Sequence, residues 1–390
     1  MTQAYNWQRL EAAAGQPIWI TDDATLARFC QQWQTLPLIA LDTEFIRVDT
    51  FYPIPGLIQI ADDQACYLLD PLKIEDYAPL VQLFRNPSVL KVLHAGNEDL
   101  ELFLYMLGQM PTPIFDTQIA AGFLGWGFSM GYQRLVEHAL QVTLEKGETT
   151  SDWLQRPLTT SQEHYAALDV AYLPVLCQQQ MAELAERGMT AWAEEETALL
   201  LRPIADDDPD GMHYYQRFSQ AWKLPPHKMA ALRDLTAWRE RISRQRDVPR
   251  NRVLRNHALL EIINRWPKDT RELARVAEVR MQQVKQDGEV ILGYLQTAAQ
   301  SAVENPPAPI QRPLSYQWNK PLKALKAMAR DKAEALNIAP EILLRKKDLD
   351  ALIRTEHQGE FSLPPSLSGW RKEVIGDALL DKLQRLDIEP

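Results

Sequence analysis

Four carboxylates and one phenol in this 390-residue chain have the types and spacing to do chemistry. Asp42 and Glu44 close the run Leu38-Ile39-Ala40-Leu41, four consecutive apolar residues of the kind a strand buried on both faces requires. Period-two alternation turns Asp42 and Glu44 toward the same side. Two like charges there are costly unless a cation neutralises them, and carboxylate oxygens suit hard ions such as Mg²⁺ or Mn²⁺. Taken alone, the pair is equally compatible with a strand running out into a polar loop. Asp99 falls in the first turn of the next candidate helix, where the helix's positive end favours a carboxylate for purely structural reasons. Tyr165 and Asp169 are four apart on a later helix, one above the other, with Asp169 at the edge of an apolar stripe. An ionised Asp facing a core is rare without a partner, although a Tyr–Asp hydrogen bond would satisfy both groups.

Taken together the five residues suit phosphodiester hydrolysis. That reaction needs an activated water, an electrophilic phosphorus and a stabilised leaving oxygen, which two divalent ions about 3.5–4 Å apart supply. Asp42, Glu44, Asp99 and Asp169 are the candidate ligands, contributed by different elements. Tyr165 is placed to orient the attacking water, since a phenol with a reference pKa of about 10 is too basic to be a strong general base at neutral pH.

The elements that must position these residues alternate between strand and helix. Ile18–Ile20 reads as a strand, Thr21 as an N-cap, and Leu26, Phe29, Cys30 and Trp33 as a helical stripe. Leu57–Ile60 and Cys66–Leu69 bracket the polar turn Asp62-Asp63-Gln64, which predicts a hairpin beside the opening strand. A helix over about Ile74–Phe84 precedes a buried strand, Val89–Leu93. Asn97 then caps a helix whose stripe is Leu100, Phe103, Leu104 and Leu107. Asp116 reads as a structural N-cap. Ser161 opens the helix that carries Tyr165 and Asp169, with Leu168, Tyr172, Val175 and Leu176 on its apolar side. The pattern predicts an α/β domain with a mixed sheet.

Pro203–His213, with Asp206, Asp207, Asp208 and Asp210, reads as a linker. Beyond it strand signals vanish, and two segments resemble each other at an offset of 90 residues. Leu232 matches Leu322, Leu235 matches Leu325, Val248 matches Ile338, Val253-Leu254-Arg255 matches Leu343-Leu344-Arg345, and Ile262-Ile263 matches Leu352-Ile353. This suggests two copies of a helical module, joined through Pro306, Pro307, Pro309 and Pro313. The first copy carries Arg239, Arg241, Arg244, Arg246, Arg250, Arg252 and Arg255, expected to form a phosphate-contacting face.

Charge is divided unevenly. Residues 1–205 hold 26 Asp+Glu against 11 Lys+Arg, whereas residues 211–300 hold 17 basic against 9 acidic side chains. An acidic half suited to cations joined to a basic segment suited to phosphates points to nucleic acid. No apolar run approaches the roughly 18 residues of a membrane helix, and Met1–Leu10 lacks the pattern of a secretory leader. Cys30, Cys66 and Cys177 have no metal-ligand spacing and read as thiols of a reducing cytoplasm.

Leu-Asp-Thr-Glu-Phe at 41–45, His-Ala-Gly-Asn-Glu-Asp-Leu at 94–100 and His-Tyr-Ala-Ala-Leu-Asp-Val at 164–170 resemble the three exonuclease motifs of the DEDD superfamily, tyrosine-containing subclass. The later segments resemble the helicase-and-ribonuclease-D C-terminal (HRDC) domain, present twice. The resemblance implies a ribonuclease-H-like fold, a mixed sheet flanked by helices, for residues 1–205, with small all-α HRDC-like modules at 212–298 and 314–388. It also implies 3′→5′ exonucleolytic removal of nucleotides from RNA with release of nucleoside 5′-monophosphates, notably from the 3′ ends of tRNA precursors. By motif position the metal ligands are Asp42, Glu44, Asp99 and Asp169, for two divalent ions (Mg²⁺ or Mn²⁺), and the water-positioning tyrosine is Tyr165. A monomer without organic cofactor or membrane partner is expected. The competing readings are a proofreading-type DNA exonuclease, disfavoured by the lack of a polymerase region, and a non-catalytic RNA-binding adaptor, disfavoured by the intact carboxylates.

Overall fold

The computed structural model describes residues 5–145, 147–148, 151–202, 208 and 210–385. The chain forms two units. One comprises Met1–Ile46, Pro55–Ile204 and Leu314–Pro390, the other Arg47–Ile54 and Ala205–Pro313.

The first unit is built on a six-stranded sheet of β1 (Ile18–Ile20), β2 (Leu38–Ile46), β3 (Ile54–Ala61), β4 (Cys66–Leu69), β5 (Leu90–Leu93) and β6 (Ile114–Asp116), ordered β1-β4-β3-β2-β5-β6. The sheet is mixed, as expected: β2 runs parallel to β5 and β5 to β6, whereas β3 and β4 are antiparallel, from Ile58↔Leu69 to Ala61↔Cys66. Asp62 fixes the β3–β4 turn by accepting the N–H groups of Gln64 (2.7 Å) and Ala65 (2.9 Å). β2 lies between β3 and β5 with both faces covered. Leu38 and Ala40 join one apolar cluster with Ala166, Ala167 and Val170, while Ile39 and Leu41 join the opposite one with Phe103.

Helix starts differ from the expected ones by a residue or two. Asp22, not Thr21, caps Asp23–Trp33, its carboxylate accepting the Thr25 N–H at 2.8 Å. Thr159, not Ser161, caps Thr160–Ala171 in a capping box with Gln162. Gly96 precedes the helix Asn97–Leu107, so Asn97 is already helical. Asp116 does cap Thr117–Phe123, accepting the Gln118 and Ile119 N–H groups, and it also takes the Gly96 N–H at 3.0 Å.

The C-terminal helices are part of this unit. Leu325, Ala333, Ile342, Leu352, Trp370 and Leu379 belong to the same apolar cluster as Ala166 and Val170. Trp370 stacks on Trp192 and meets Phe123 edge-on, Arg371 pairs with Glu196 at 2.5 Å, and the Ala339 N–H donates to the Gly122 carbonyl at 2.8 Å. Gly122 is required there, since any Cβ would overlap Ile342.

The second unit is helical, with a core that includes Leu232, Leu235, Trp238, Leu259, Ile262 and Ile291. The 90-residue offset extends to secondary structure: Arg250–Val253 and Asn256–Arg265 in this unit correspond to helices beginning at Pro340 and Lys346 in the other. The expected linker lies largely outside the described residues, at 203–207 and 209, as do residues 386–388. Among the described residues no helix is long and apolar enough to cross a membrane.

Candidate active site

The parity of β2 decides which way its terminal side chains leave the sheet. Asp42 and Glu44 continue the Leu38–Ala40 side, which the Thr160–Ala171 helix covers, and so they emerge toward Asp169. Thr43 continues the Ile39–Leu41 side, beside the Asn97–Leu107 helix, and its hydroxyl donates to the Asp99 carboxylate. Asp99 is buried, and Asp42, Glu44 and Asp169 are half-buried. The strand end thus meets one acidic helix on each face.

The electrostatics of this arrangement run one way. Burial is the largest influence on each of the four carboxyls, and repulsion within the set adds to it for Asp42, Glu44 and Asp169, whereas Asp99 is repelled by Asp116 and Glu98. Asp42 is pushed well above the usual carboxylate range by burial and by Asp99, Asp169 and Glu44. Glu44 rises to about 8 through burial, Asp169 and Asp99. Asp169 rises to about 7 through burial, although its hydrogen bond with Tyr165 pulls it down. Asp99 rises to about 6, with the Thr43 hydrogen bond opposing the burial. Among the described residues no three His, Cys, Asp or Glu side chains stand close enough to hold one ion as they are. The donor chemistry nevertheless fits hard divalent cations: all four ligands would be carboxylate oxygens, and a cation would relieve the strain that raises their pKa values.

Tyr165 is half-buried between two partners. Trp153 lies at a ring-centroid distance of 6.2 Å, and the backbone of Gly147 lies against the other part of the ring, so closely that a Cβ at 147 would overlap it. Glu148 anchors this approach, accepting hydrogen bonds from Ser161 (2.7 Å) and Ser151. Burial and the Asp169 charge raise the Tyr165 phenol above its ordinary value, so it stays protonated at neutral pH.

Sequence reasoning missed three residues here. Thr43 lies inside the first motif, and only the strand's parity shows that it serves Asp99. Gly147 carries no side-chain signal at all. Tyr132, whose hydroxyl donates to the Leu168 carbonyl at 2.8 Å, buttresses the backbone next to Asp169. Its position after Gly131 at a helix start was the only hint.

The arginine face of the second unit is corrected. Arg239 is buried and donates to the Leu254 carbonyl and Asn256, both at 2.8 Å. Arg244 and Arg250 both bond Glu240, Arg246 pairs with Asp287 at 2.6 Å, and Arg252 pairs with Asp49 at 2.6 Å. Arg241 donates to the Asp210 carbonyl and to Tyr294, and Arg255 lies 3.9 Å from Glu278. Most of this charge is spent inside the unit, because nearby carboxylates compete with any phosphate for the same guanidinium groups.

A mixed sheet whose central strand delivers two acidic residues between an Asp-bearing helix and a Tyr-x-x-x-Asp helix defines a 3′–5′ exonuclease, and the model of the "3'-5' exonuclease" family matches residues 17–185. The HRDC domain model matches residues 228–295. Ribonuclease D of Pseudomonas paraeruginosa is 44% identical over 94% of this chain and 97% of that protein. Ribonuclease D of Escherichia coli is 36% identical over 94% of this chain and 98% of that protein. The crystal structure of E. coli RNase D, described as an exoribonuclease involved in structured RNA processing, superposes with a TM-score of 0.87 at 35% identity, covering 95% of this chain and 99% of that one. The chain belongs to the ribonuclease D family, and its activity is that of a 3′–5′ exoribonuclease of the DEDD class. Exonucleases of this class work with divalent metal ions.

Proposed function

We propose that Asp42, Glu44, Asp99 and Asp169 hold two divalent cations, Mg²⁺ or Mn²⁺, and that Tyr165 orients the water that attacks the 3′-terminal phosphodiester of RNA. The carrying observation is the set of four carboxyls gathered around the end of β2, each raised in pKa by burial. When bound, divalent cations neutralise the charge that develops on the attacking and leaving oxygens. The protein's own groups supply the rest. The Tyr165 phenol keeps its proton and so positions water by hydrogen bond instead of abstracting a proton. Thr43 holds one Asp99 oxygen, and Tyr132 steadies the backbone before Asp169. The new bond joins the water oxygen to phosphorus as the P–O3′ bond breaks, giving a nucleoside 5′-monophosphate and an RNA one residue shorter with a 3′-hydroxyl.

The substrates in this reading are tRNA precursors with 3′ extensions and other structured RNAs, in keeping with the names of the relatives. The domains are the exonuclease domain at 1–205 and HRDC-like modules at 212–298 and 314–388, supported by the two family matches and the repeated helix starts. The protein works as a monomer in the cytoplasm, where its three free, buried cysteines would stay reduced. A labelled tRNA with a 3′ extension, incubated with the full-length protein and Mg²⁺ or Mn²⁺, should shorten stepwise from its 3′ end, with no shortening in chelator. Internal cuts, or intact RNA with both metals, would overturn the reading.

A further inference from the structure

The internal pairing of the second unit's arginines leaves open which surface carries positive charge available to an RNA backbone. From Leu314 to Arg330 the chain has four cations, Lys320, Lys323, Lys326 and Arg330, and no Asp or Glu. All four lie on the helix Asn319–Leu336 at spacings of three, three and four, which lines them along one flank. All are exposed, whereas Pro321, Leu325, Ala329 and Ala333 bury the opposite side. Among the described residues Lys320, Lys323 and Lys326 pair with no carboxylate, and Arg330 has only a loose contact with Asp331 at 3.7 Å.

This arrangement does nothing for the helix itself. Lys320 and Lys323 sit near its positive end, where cations are unfavourable, and like charges three residues apart repel. A local choice that opposes helix stability without a compensating partner marks a surface meant for something outside the fold. Just before the helix stands Tyr316, 83% exposed, an aromatic face available to a base. The helix shares an apolar core with the strands and helices that carry the carboxylates.

We propose that Lys320, Lys323 and Lys326, with Tyr316, form the surface on which the catalytic unit grips the sugar-phosphate backbone of its RNA. The inference rests on RNA being the substrate. The stripe is a sequence-independent contact: lysines supply point charges to phosphates and the tyrosine a stacking face.

The test is the salt dependence of binding by the full-length protein, measured in chelator so that nothing is cut. The probe is an RNA hairpin with a single-stranded 3′ extension. Each phosphate contact contributes about 0.7–0.9 to the slope of log affinity against log salt. The triple variant K320Q/K323Q/K326Q should therefore lower that slope by about 2. K332Q lies on the same helix, about half a turn round from Lys323 at 3.6 residues per turn, and should keep the wild-type slope. Melting of the triple variant no lower than that of wild type would exclude a folding defect. A triple variant with the wild-type slope, or a K332Q loss as large per charge, would overturn the inference while leaving the exoribonuclease reading intact. Failure of the wild-type protein to bind the hairpin at all would overturn both.

Discussion

Two groups of carboxylates with restricted access to water, Glu240 in the second unit and the set at the end of β2, are accommodated in opposite ways. Glu240, buried in the second unit, is met by Arg244 and Arg250, which bond it at 2.9 and 2.6 Å. Burial alone would raise its pKa, but the hydrogen bonds and charges of Arg250 and Arg244 hold it below the usual glutamate range. The four carboxyls at the end of β2 have carboxylates and neutral hydroxyls for neighbours, and all four are raised. A carboxylate completed from within stabilises the fold, whereas a set left incomplete keeps its affinity for a cation arriving from outside. Between these two sites the direction of the pKa shift, and not the number of acidic residues, separates the acid with internal partners from the candidate ligands.

That contrast can be broken at several points. The largest effect should come from Asp42→Asn: RNA hydrolysis falls at least about a hundredfold. Because one of four mutually repelling charges is gone, the variant's melting temperature in chelator should rise instead of fall. An active variant, or one that melts lower, would collapse the distinction between the two sites.

Glu240→Gln should behave in the reverse way, costing about 2 kcal/mol of stability, because Arg244 and Arg250 lose the carboxylate they share while still reaching water. Solution pH separates the two cases further. Glu240 has a folded pKa below its unfolded value of about 4.3, so its contribution is complete above that pH and is lost as pH falls through the folded value. Denaturant titrations should show a constant gap between wild type and variant from pH 5 to 8 that closes on further acidification. Asp99, Asp169 and Glu44, at about 6, 7 and 8, have folded pKa values above their unfolded ones. The folded protein therefore binds more protons than the unfolded chain between about pH 4 and 8, and wild-type protein in chelator should lose stability as pH rises through that range. Added Mn²⁺ should restore it.

The smallest effect concerns the tyrosine beside the acidic set. Gly147→Ala should lower kcat roughly tenfold by pushing the Tyr165 ring aside, as a displaced catalytic group costs one or two orders of magnitude. In a Tyr165→Phe background the same substitution should have almost no further effect on kcat. Full additivity in that double-mutant cycle would show that Gly147 acts elsewhere.

Much of the catalytic half was legible because its signals are local. An apolar run followed by Asp-x-Glu fixes both the strand's double burial and the side on which the acids emerge. Tyr165 and Asp169 need only the helical period to be placed together. The caps slipped because Thr21 and Asp22 are both competent N-caps, and the decision depends on which oxygen reaches the Thr25 N–H. Longer-range facts were not legible. Arginine density in the second unit resembled a phosphate-binding face until the partners appeared, some close in sequence like Glu240 and others, like Asp287, 41 residues away. The union of the C-terminal helices with the exonuclease sheet depends on pairs such as Glu196 and Arg371, 175 residues apart. No periodicity encodes such pairs. Gly147 escaped because a lone glycine in a polar stretch looks like any other turn residue.

The shared core of the sheet and the last helices has a consequence for how the protein is made. A ribosome delivers the chain from its N-terminus, so the six strands and all four acidic residues emerge before the helices that begin at Asn319. Until Ile342 meets Gly122 and Trp370 covers Phe123 and Trp192, part of the apolar cluster behind the Tyr165 helix lies open. Completion of that shared core therefore waits for the helices that follow Asn319. A nascent chain, surrounded by the ribosome's own RNA, carries the motif residues long before it carries the finished core that holds them in place.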